Sequence, residues 1–534
     1  DPLEAAGGRP LPDAPAARCG SQSARRPDPA RPPVTPAAHA EPAANNEVRA
    51  GQPVPPPRPV PPEPKPSGDP PPAPGAPPAV LGTAPSAGGP LALDEVLDSV
   101  ERHYPMLRAV EQERAIAGGR LVSAMGAFDL NLIGGVDGQG GTYDNFRGGA
   151  GVSQGLPVGG LGLFAGYRNG FGDFPTYNLG QKTADSGEFR AGVSVPLLRD
   201  RAIDRPRANV QQARIDVAIA EPVIERQRLD FRRAAARTYW NWVAAGQRLS
   251  VTENLVKLAA ERDEQLKARV EAGPAANIER VDNQQNIALR NGVLVQAQRG
   301  FQQATIDLSL FLRDATGAPT LAGADRLRRF PEVRPVDPRT FDEALRTAFE
   351  LRPEPRRLRL QREKVAVEHR LAVNQSLPGL NATVAAAQDA GPGKSSLSGP
   401  NGLDRSSVAG GLALQLPVQR RDARGREMQA LAQIAQLDQQ IRNTEDVVRA
   451  DVQDTFSALE RAYEFYQQSR KRVELARTVA RAEREQLRLG RSDVLRVTLR
   501  EQAAFDAEIV EIGAQQDYFR AVADFLAATG TGGK

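Results

Sequence analysis

One cysteine in 534 residues rules out an intramolecular disulfide, so nothing in this chain is stapled covalently. That residue, Cys19, lies in Ala16-Ala17-Arg18-Cys19-Gly20. It lacks the apolar run that precedes a lipid-modified cysteine and reads as an unmodified thiol. Histidine is almost as scarce: His39, His103 and His369 stand far apart without ligand-like spacing, so no metal site is expected. No nucleophile sits beside a base. The glycine-rich stretch 134–141 falls among alternating residues, where turns need glycine, and does not form a phosphate-cradling loop. The sequence thus presents no catalytic residue and no cofactor site, and an enzyme is not expected. Nor does any stretch approach the ~18–20 consecutive apolar residues of a membrane-spanning helix. A membrane crossing would have to use strands closed into a barrel, because lipid cannot satisfy free backbone groups. The formal charge is only +4, and both signs interleave along the long polar stretches, so no basic stripe marks a nucleic-acid partner.

What is abundant, at the start, is proline. Residues 1–90 are crowded with proline, alanine and glycine, as in Pro53-Val54-Pro55-Pro56-Pro57-Arg58-Pro59. Such a segment has too little apolar surface to offset its ordering entropy and reads as a disordered leader, a tether or spacer. The chain begins with Asp and not Met, as expected where an export signal has been removed.

Behind the leader the chain repeats itself. Leu93-Asp94-Glu95-Val96-Leu97 with Pro105 returns as Phe341-Asp342-Glu343-Ala344-Leu345 with Pro353. Arg120-Leu121 and Leu130-Asn131 return as Arg370-Leu371 and Leu380-Asn381, and Val195-Pro196-Leu197 as Leu416-Pro417-Val418. Phe311-Leu312-Arg313-Asp314-Ala315-Thr316-Gly317 pairs with Asp524-Phe525-Leu526-Ala527-Ala528-Thr529-Gly530. The repeats span 91–317 and 341–530, with a linker at 318–340 and a tail at 531–534.

Each repeat opens with helix; over 91–126, Asp94 is the expected cap. The period then changes to two. Phe128, Leu130 and Leu132 alternate with Asp129 and Asn131, and the same alternation marks 148–156, 160–168, 188–197, 380–387 and 407–418. Phe146, Phe164, Tyr167, Phe171 and Phe174 suit either interfacial girdles or ordinary sheet packing. Very long helical runs follow at 206–272 and 424–489, each extending roughly 100 Å. Apolar seams step by three and four along both: Val210, Ala213, Val217, Ala220 and Ile224 in one, Ile434, Leu437, Ile441, Thr444 and Val448 in the other. Pro222 should kink or break the first. Return helices are expected over 275–314 and 492–528, after turns at Glu271-Ala272-Gly273-Pro274 and Arg488-Leu489-Gly490-Arg491.

This ordered set, twice over, resembles the outer-membrane efflux proteins, the TolC-like exit ducts of Gram-negative cell envelopes. The resemblance covers about 91–530. It implies a mainly α fold with membrane strands: a homotrimer in which each protomer gives four strands to one twelve-stranded outer-membrane barrel, continuous with a long α-helical coiled-coil tunnel across the periplasm. It also implies contact with outer-membrane lipid. At the hairpin tips (Gly273, Pro274, Gly490 and Arg491) it implies contact with a periplasmic adaptor, a membrane fusion protein, that leads to an inner-membrane pump. The function implied is passive conduction to the exterior in a tripartite efflux or type I secretion system.

Two features depart from that pattern. The first repeat offers four strands where two are needed. Segments 128–136 and 188–197 are assigned to the barrel, and 148–168 is expected to be a hairpin extending either the barrel or its outer loop. The second departure lies at the tips, where the family narrows the duct with acidic residues. Glu279 and Asp282 follow Gly273, whereas Asp493 and Arg496 follow Gly490. A ring of carboxylates would favour cations at the mouth, and Arg496 would latch them closed; the alternative is that all four are solvated tip charges. The competing function is a coiled-coil envelope protein, structural or adaptor, that forms no pore. Duplicated amphipathic strands argue against it.

Overall fold

The computed structural model describes residues 89–175, 182–273, 276–335, 337, 340–395 and 406–533. Cys19, His39, Pro274 and nearly all of the proline-rich leader lie outside them.

Proline sets the first element boundary. In place of one helix over 91–126 there are two, α1 (Leu93–His103) and α2 (Pro105–Met125). Tyr104 between them is extended, at φ −73° and ψ 117°, because the ring of Pro105 disfavours helical backbone in the residue before it. Asp94 is not the cap: Ala92 holds that position and Asp94 sits in the first turn, where its charge suits the helix dipole. The second repeat has the same joint, with α5 (Thr340–Leu351), Arg352 at φ −62° and ψ 126°, and α6 (Pro353–Gln375).

The first repeat continues through β1 (Asn131–Gln139), β2 (Asn145–Gly155), β3 (Gly162–Gly172) and β4 (Glu188–Pro196) into α3 (Arg205–Glu271) and α4 (Asn277–Ser309). The second continues through β5 (Gly379–Asp389) and β6 (Ser406–Gln415) into α7 (Arg421–Arg488) and α8 (Val494–Thr529). α3 is started by the Asp204 carboxylate, which accepts from the Arg207 N–H at 2.8 Å. With 67 and 68 residues, α3 and α7 each extend about 100 Å.

Pro222 does not break α3, which runs on through it. The ion-pair partners of α3 change gradually along the helix and not at Pro222. Before it, Lys364 of α6 pairs with Asp216, and Arg114 of α2 pairs with Glu221. Beyond it, Glu225 and Arg226 still pair with Arg356 and Glu354 of α6, and Arg228 with Glu111 of α2. Arg228 and Arg232 also reach Glu101 of α1, and Arg233 reaches Asp524 of α8. The predicted α3 seam is buried at Val210, Ala213, Ala220 and Ile224, whereas Val217 faces out. On α7, Ile434, Leu437, Ile441 and Thr444 are only half-buried and lead into fully buried Val448.

The core is thickest midway along the helices. The Trp240 ring of α3 lies 4.4 Å from Phe519 of α8 and 5.8 Å from Phe330, which belongs to the segment between the repeats. Phe330 and Phe519 stack 5.5 Å apart, 2° from parallel. The same segment is tied at both ends, by Leu91 N–H donating to the Arg326 carbonyl at 2.8 Å and by the Tyr518 hydroxyl donating to the Arg334 carbonyl at 2.9 Å. Tyr239 also donates to the Leu91 carbonyl at 2.8 Å; burial pushes its phenol up to about 12, so it stays a neutral donor.

All strands join one antiparallel sheet of six, in chain order. The hairpin expected at 148–168 is β2–β3, and it lies between β1 and β4 as part of the sheet, not in an outer loop. The described protomer therefore carries six strands, not the expected four.

Candidate functional site

Residues paired across antiparallel strands project from the same face, so the register sorts every side chain of the sheet. One face carries Leu132 and Val136 of β1, Phe146 and Val152 of β2, and Leu163, Tyr167 and Phe171 of β3. It continues through Phe189 and Val193, Leu380 and Val384, and Val408, Leu412 and Leu414. Most of these side chains are exposed. The opposite face carries Asp137, Arg147, Arg168, Glu188, Arg190, Thr383 and Asp389 among glycines and alanines. An apolar face bare to the surroundings, backed by a polar one, is the pattern of strands that meet lipid outside and water within.

The polar face is internally paired. Arg147 pairs with Asp137 across β1–β2. Arg168 grips Glu188 with two hydrogen bonds of 2.9 and 2.8 Å, and the Arg190 guanidinium sits 5.6 Å from the Phe164 ring centre. Phe164 therefore lies on the polar face, apart from the other aromatics. The other aromatics gather on the apolar face toward the end of the sheet away from the helices. Phe146 lies 5.2 Å from Phe171, and Tyr167 lies 5.2 Å from Phe189. Phe174 lies just beyond β3. Among the described residues no helix is long and apolar enough to cross a membrane, and no cluster of three or more potential metal ligands occurs.

At the opposite extreme, two hairpins turn on glycines in the left-handed region, Gly273 at φ +91° and Gly490 at φ +75°. At the second, Gly490 N–H reaches the Leu487 carbonyl at 3.0 Å and Arg491 N–H the Gln486 carbonyl at 2.8 Å, closing the helix end as a Schellman motif. At the first, Gly273 N–H reaches the Val270 carbonyl at 3.1 Å, and the next residue is Pro274, which has no N–H to give. Asp493 caps α8 by accepting from Arg496 N–H at 2.7 Å. The Arg496 guanidinium lies 3.4 Å from the same carboxylate, with both side chains well exposed. Glu279 sits in the first turn of α4 and Asp282 one turn later; no ion pair joins either to Arg496 among the described residues.

One feature escaped the sequence reading. Glu501 of α8 is 4% exposed, between Arg262 of α3 (6%) and Arg290 of α4 (3%). It pairs with both and so joins the two helical hairpins above their tips.

No protein-family model matches the sequence, and no curated protein matches it. Solved structures do share the fold. The open state of the MtrE outer membrane channel of Neisseria gonorrhoeae superposes with a TM-score of 0.59 at 16% identity, covering 83% of this chain and 89% of that one. The outer membrane protein VceC of Vibrio cholerae gives 0.58 at 16% identity, with 82% and 96% covered. The CmeC outer membrane channel of Campylobacter jejuni gives 0.56 at 12% identity, with 82% and 86% covered. The chain has the fold of these outer-membrane channels, the fold its sequence resemblance implies.

Proposed function

We propose that this chain is the exit duct of a tripartite efflux or type I secretion system in a Gram-negative outer membrane. Three protomers close their sheets into a barrel and their helices into a periplasmic tunnel, conducting passively what an inner-membrane pump and its adaptor deliver. The observation that carries this reading is the exposed apolar face of the sheet, in the same chain as two hairpins of very long helices. A pore-free envelope protein would leave that face in water, where it would drive aggregation. Apolar side chains left open on the long helices, such as Val281, Leu289 and Val295 of α4 and Met428 and Leu431 of α7, suit packing against neighbouring protomers. In this reading the tips at Gly273, Pro274, Gly490 and Arg491 meet the adaptor. Extraction from the outer membrane in mild detergent should yield a trimer that conducts ions in planar bilayers. A monomer, or absence from that membrane, overturns the reading.

The tip charges Glu279, Asp282, Asp493 and Arg496 form the gate in this reading. In the assembled mouth each Arg496 latches tip carboxylates of the neighbouring hairpins in the closed state, and the ring of carboxylates favours cations once it opens. An exposed pair of this kind contributes only about 0.2–1 kcal/mol to stability. Arg496→Ala should therefore raise the resting conductance of the reconstituted channel while leaving its thermal midpoint in place. An unchanged conductance reduces these residues to solvated tip charges.

A further inference from the structure

The β2–β3 hairpin adds two strands to the sheet without adding helices. We propose that it belongs to the membrane wall, so that three protomers of six strands close an eighteen-stranded barrel over a tunnel of twelve long helices; this rests on the trimeric duct proposed above.

Length is the first argument. β2 and β3 have 11 residues each, beside 9 in β1 and β4, 11 in β5 and 10 in β6. About 9–11 residues is what a tilted strand needs to cross the hydrocarbon core. The pattern of the faces is the second. Phe146 and Val152 of β2 and Leu163, Tyr167 and Phe171 of β3 continue the apolar face without a gap from Leu132 on β1 to Phe189 and Val193 on β4. Arg147 and Arg168 extend the polar face just as continuously.

The third argument is anchorage. At the helix-side end, the turn of the hairpin is seated on the rim where β4 passes into α3. A side-chain carbon on Gly160 would fall 2.6 Å from the Asp200 carbonyl and 2.9 Å from the Pro196 ring. Nearby, Gln154 donates to the Phe128 carbonyl at 3.2 Å. Along its length the hairpin is laddered to β1 on one side and β4 on the other. On the polar face Gly151 and Gly166 lie opposite each other so closely that a β-carbon on either would come within 3.1 Å of the other's Cα, and one on Gly192 would strike Phe164. The sheet therefore bends around its polar side through the hairpin, as a wall around a lumen must.

The last argument is closure. β1 and β6 are the free edges; Leu132 is 83% and Val408 78% exposed. In lipid an unpaired strand edge is not tolerated, so each edge needs another strand. The occupant that fits is the opposite edge of a second copy of this chain. With six strands, β6 runs antiparallel to a neighbour's β1, and the apolar residues of both fall on the outer face. Barrel diameter grows roughly linearly with strand number, so eighteen strands give about 1.5 times the width of twelve, a size that leaves an aqueous lumen. The duct thus flares where it meets the outer membrane, and its narrowest part lies in the helices.

Electron cryo-microscopy of the full-length protein in lipid nanodiscs tests this directly. A trimer with eighteen wall strands is expected, with 145–172 of each protomer in the wall. A trimer with twelve, and the hairpin folded off the wall, overturns the proposal and leaves the duct standing. Any other assembly removes both. Cysteine labelling gives a second readout. In a Cys19→Ser background, Leu163→Cys on β3 and Leu412→Cys on β6 should both lose reactivity toward a water-soluble maleimide in intact vesicles. Labelling at 163 alone rejects the hairpin as wall, and labelling at both rejects the membrane sheet altogether.

Discussion

Replacing Glu501 by alanine is expected to destabilise the joint between the two helical hairpins by about 3–5 kcal/mol, the penalty of leaving buried charges without their counter-ion. The carboxylate accepts from Arg290 at 3.4 Å and more closely from Arg262. Arg262 also donates to the Thr498 hydroxyl at 3.0 Å, and Arg290 to the Leu255 carbonyl at 3.1 Å. Burial pushes the Arg290 guanidinium down from its ordinary range, and the Glu501 charge is the chief influence opposing that shift. Alanine at 501 leaves two cations facing each other in a space with little water. Separation of α3 and α4 from α8 relieves this, so the lost stability should appear locally. Hydrogen exchange of backbone amides at 255–266, 283–290 and 497–505 should accelerate while the sheet stays protected. Because the penalty belongs to the orphaned charges and not to the missing carboxylate, removing all three should reverse it. Arg262→Met, Arg290→Met and Glu501→Leu together should bring exchange back to within about 1 kcal/mol of the parent, as apolar replacements of buried ion groups do. Unchanged exchange in Glu501→Ala would show that the cluster does not join the hairpins.

The signal for this cluster was present in the sequence, but only half of it. Val494, Val497, Glu501 and Ala504 step by three, four and three, and Leu255, Ala259, Arg262 and Leu266 by four, three and four. A charge standing within an apolar seam was therefore visible twice. Its meaning was not, because Arg262 and Glu501 are 239 positions apart and only the packed helices bring them together. The sheet was legible to a similar depth. All six strand segments announce themselves by alternation, and even the place of Phe164 on the polar face follows from parity, since Leu163, Ala165 and Tyr167 are its apolar neighbours. What alternation cannot supply is which strand lies beside which; the place of the β2–β3 hairpin in the sheet required the register. Long helices and their glycine turns were readable because they depend on local rules. The split at Tyr104 is equally local, since Pro105, which recurs as Pro353, disfavours helical backbone in the residue before it.

Trp240→Ala carries a comparable expected effect farther from the tips, midway along α3. Trp240 is 7% exposed and touches three elements at once: Tyr239 at 4.8 Å on its own helix, Phe519 at 4.4 Å on α8, and Phe330 at 5.8 Å on the segment between the repeats. Truncating a buried tryptophan removes apolar contact and leaves a cavity, at about 3–5 kcal/mol. Which part yields depends on what else holds each neighbour. α3 and α8 are held along many turns, whereas the described part of the segment around Phe330 has only one short 3-10 turn, Ala324–Arg326. It depends on the stack, on Leu327 lodged against Gly246, and on the bonds at Arg326 and Arg334. The loss should therefore appear as release of this segment, with the long helices retained. Trypsin should cut at Arg328 and Arg329, which are already exposed, at least about tenfold faster than in the parent, since each 1.4 kcal/mol of lost protection is worth about a factor of ten when opening precedes cleavage. Trp240→Phe keeps an aromatic face toward Phe519 and Phe330 and should recover most of the protection. If cleavage at the two arginines is equally slow in Trp240→Ala, the segment is held by its backbone bonds and not by the aromatic stack.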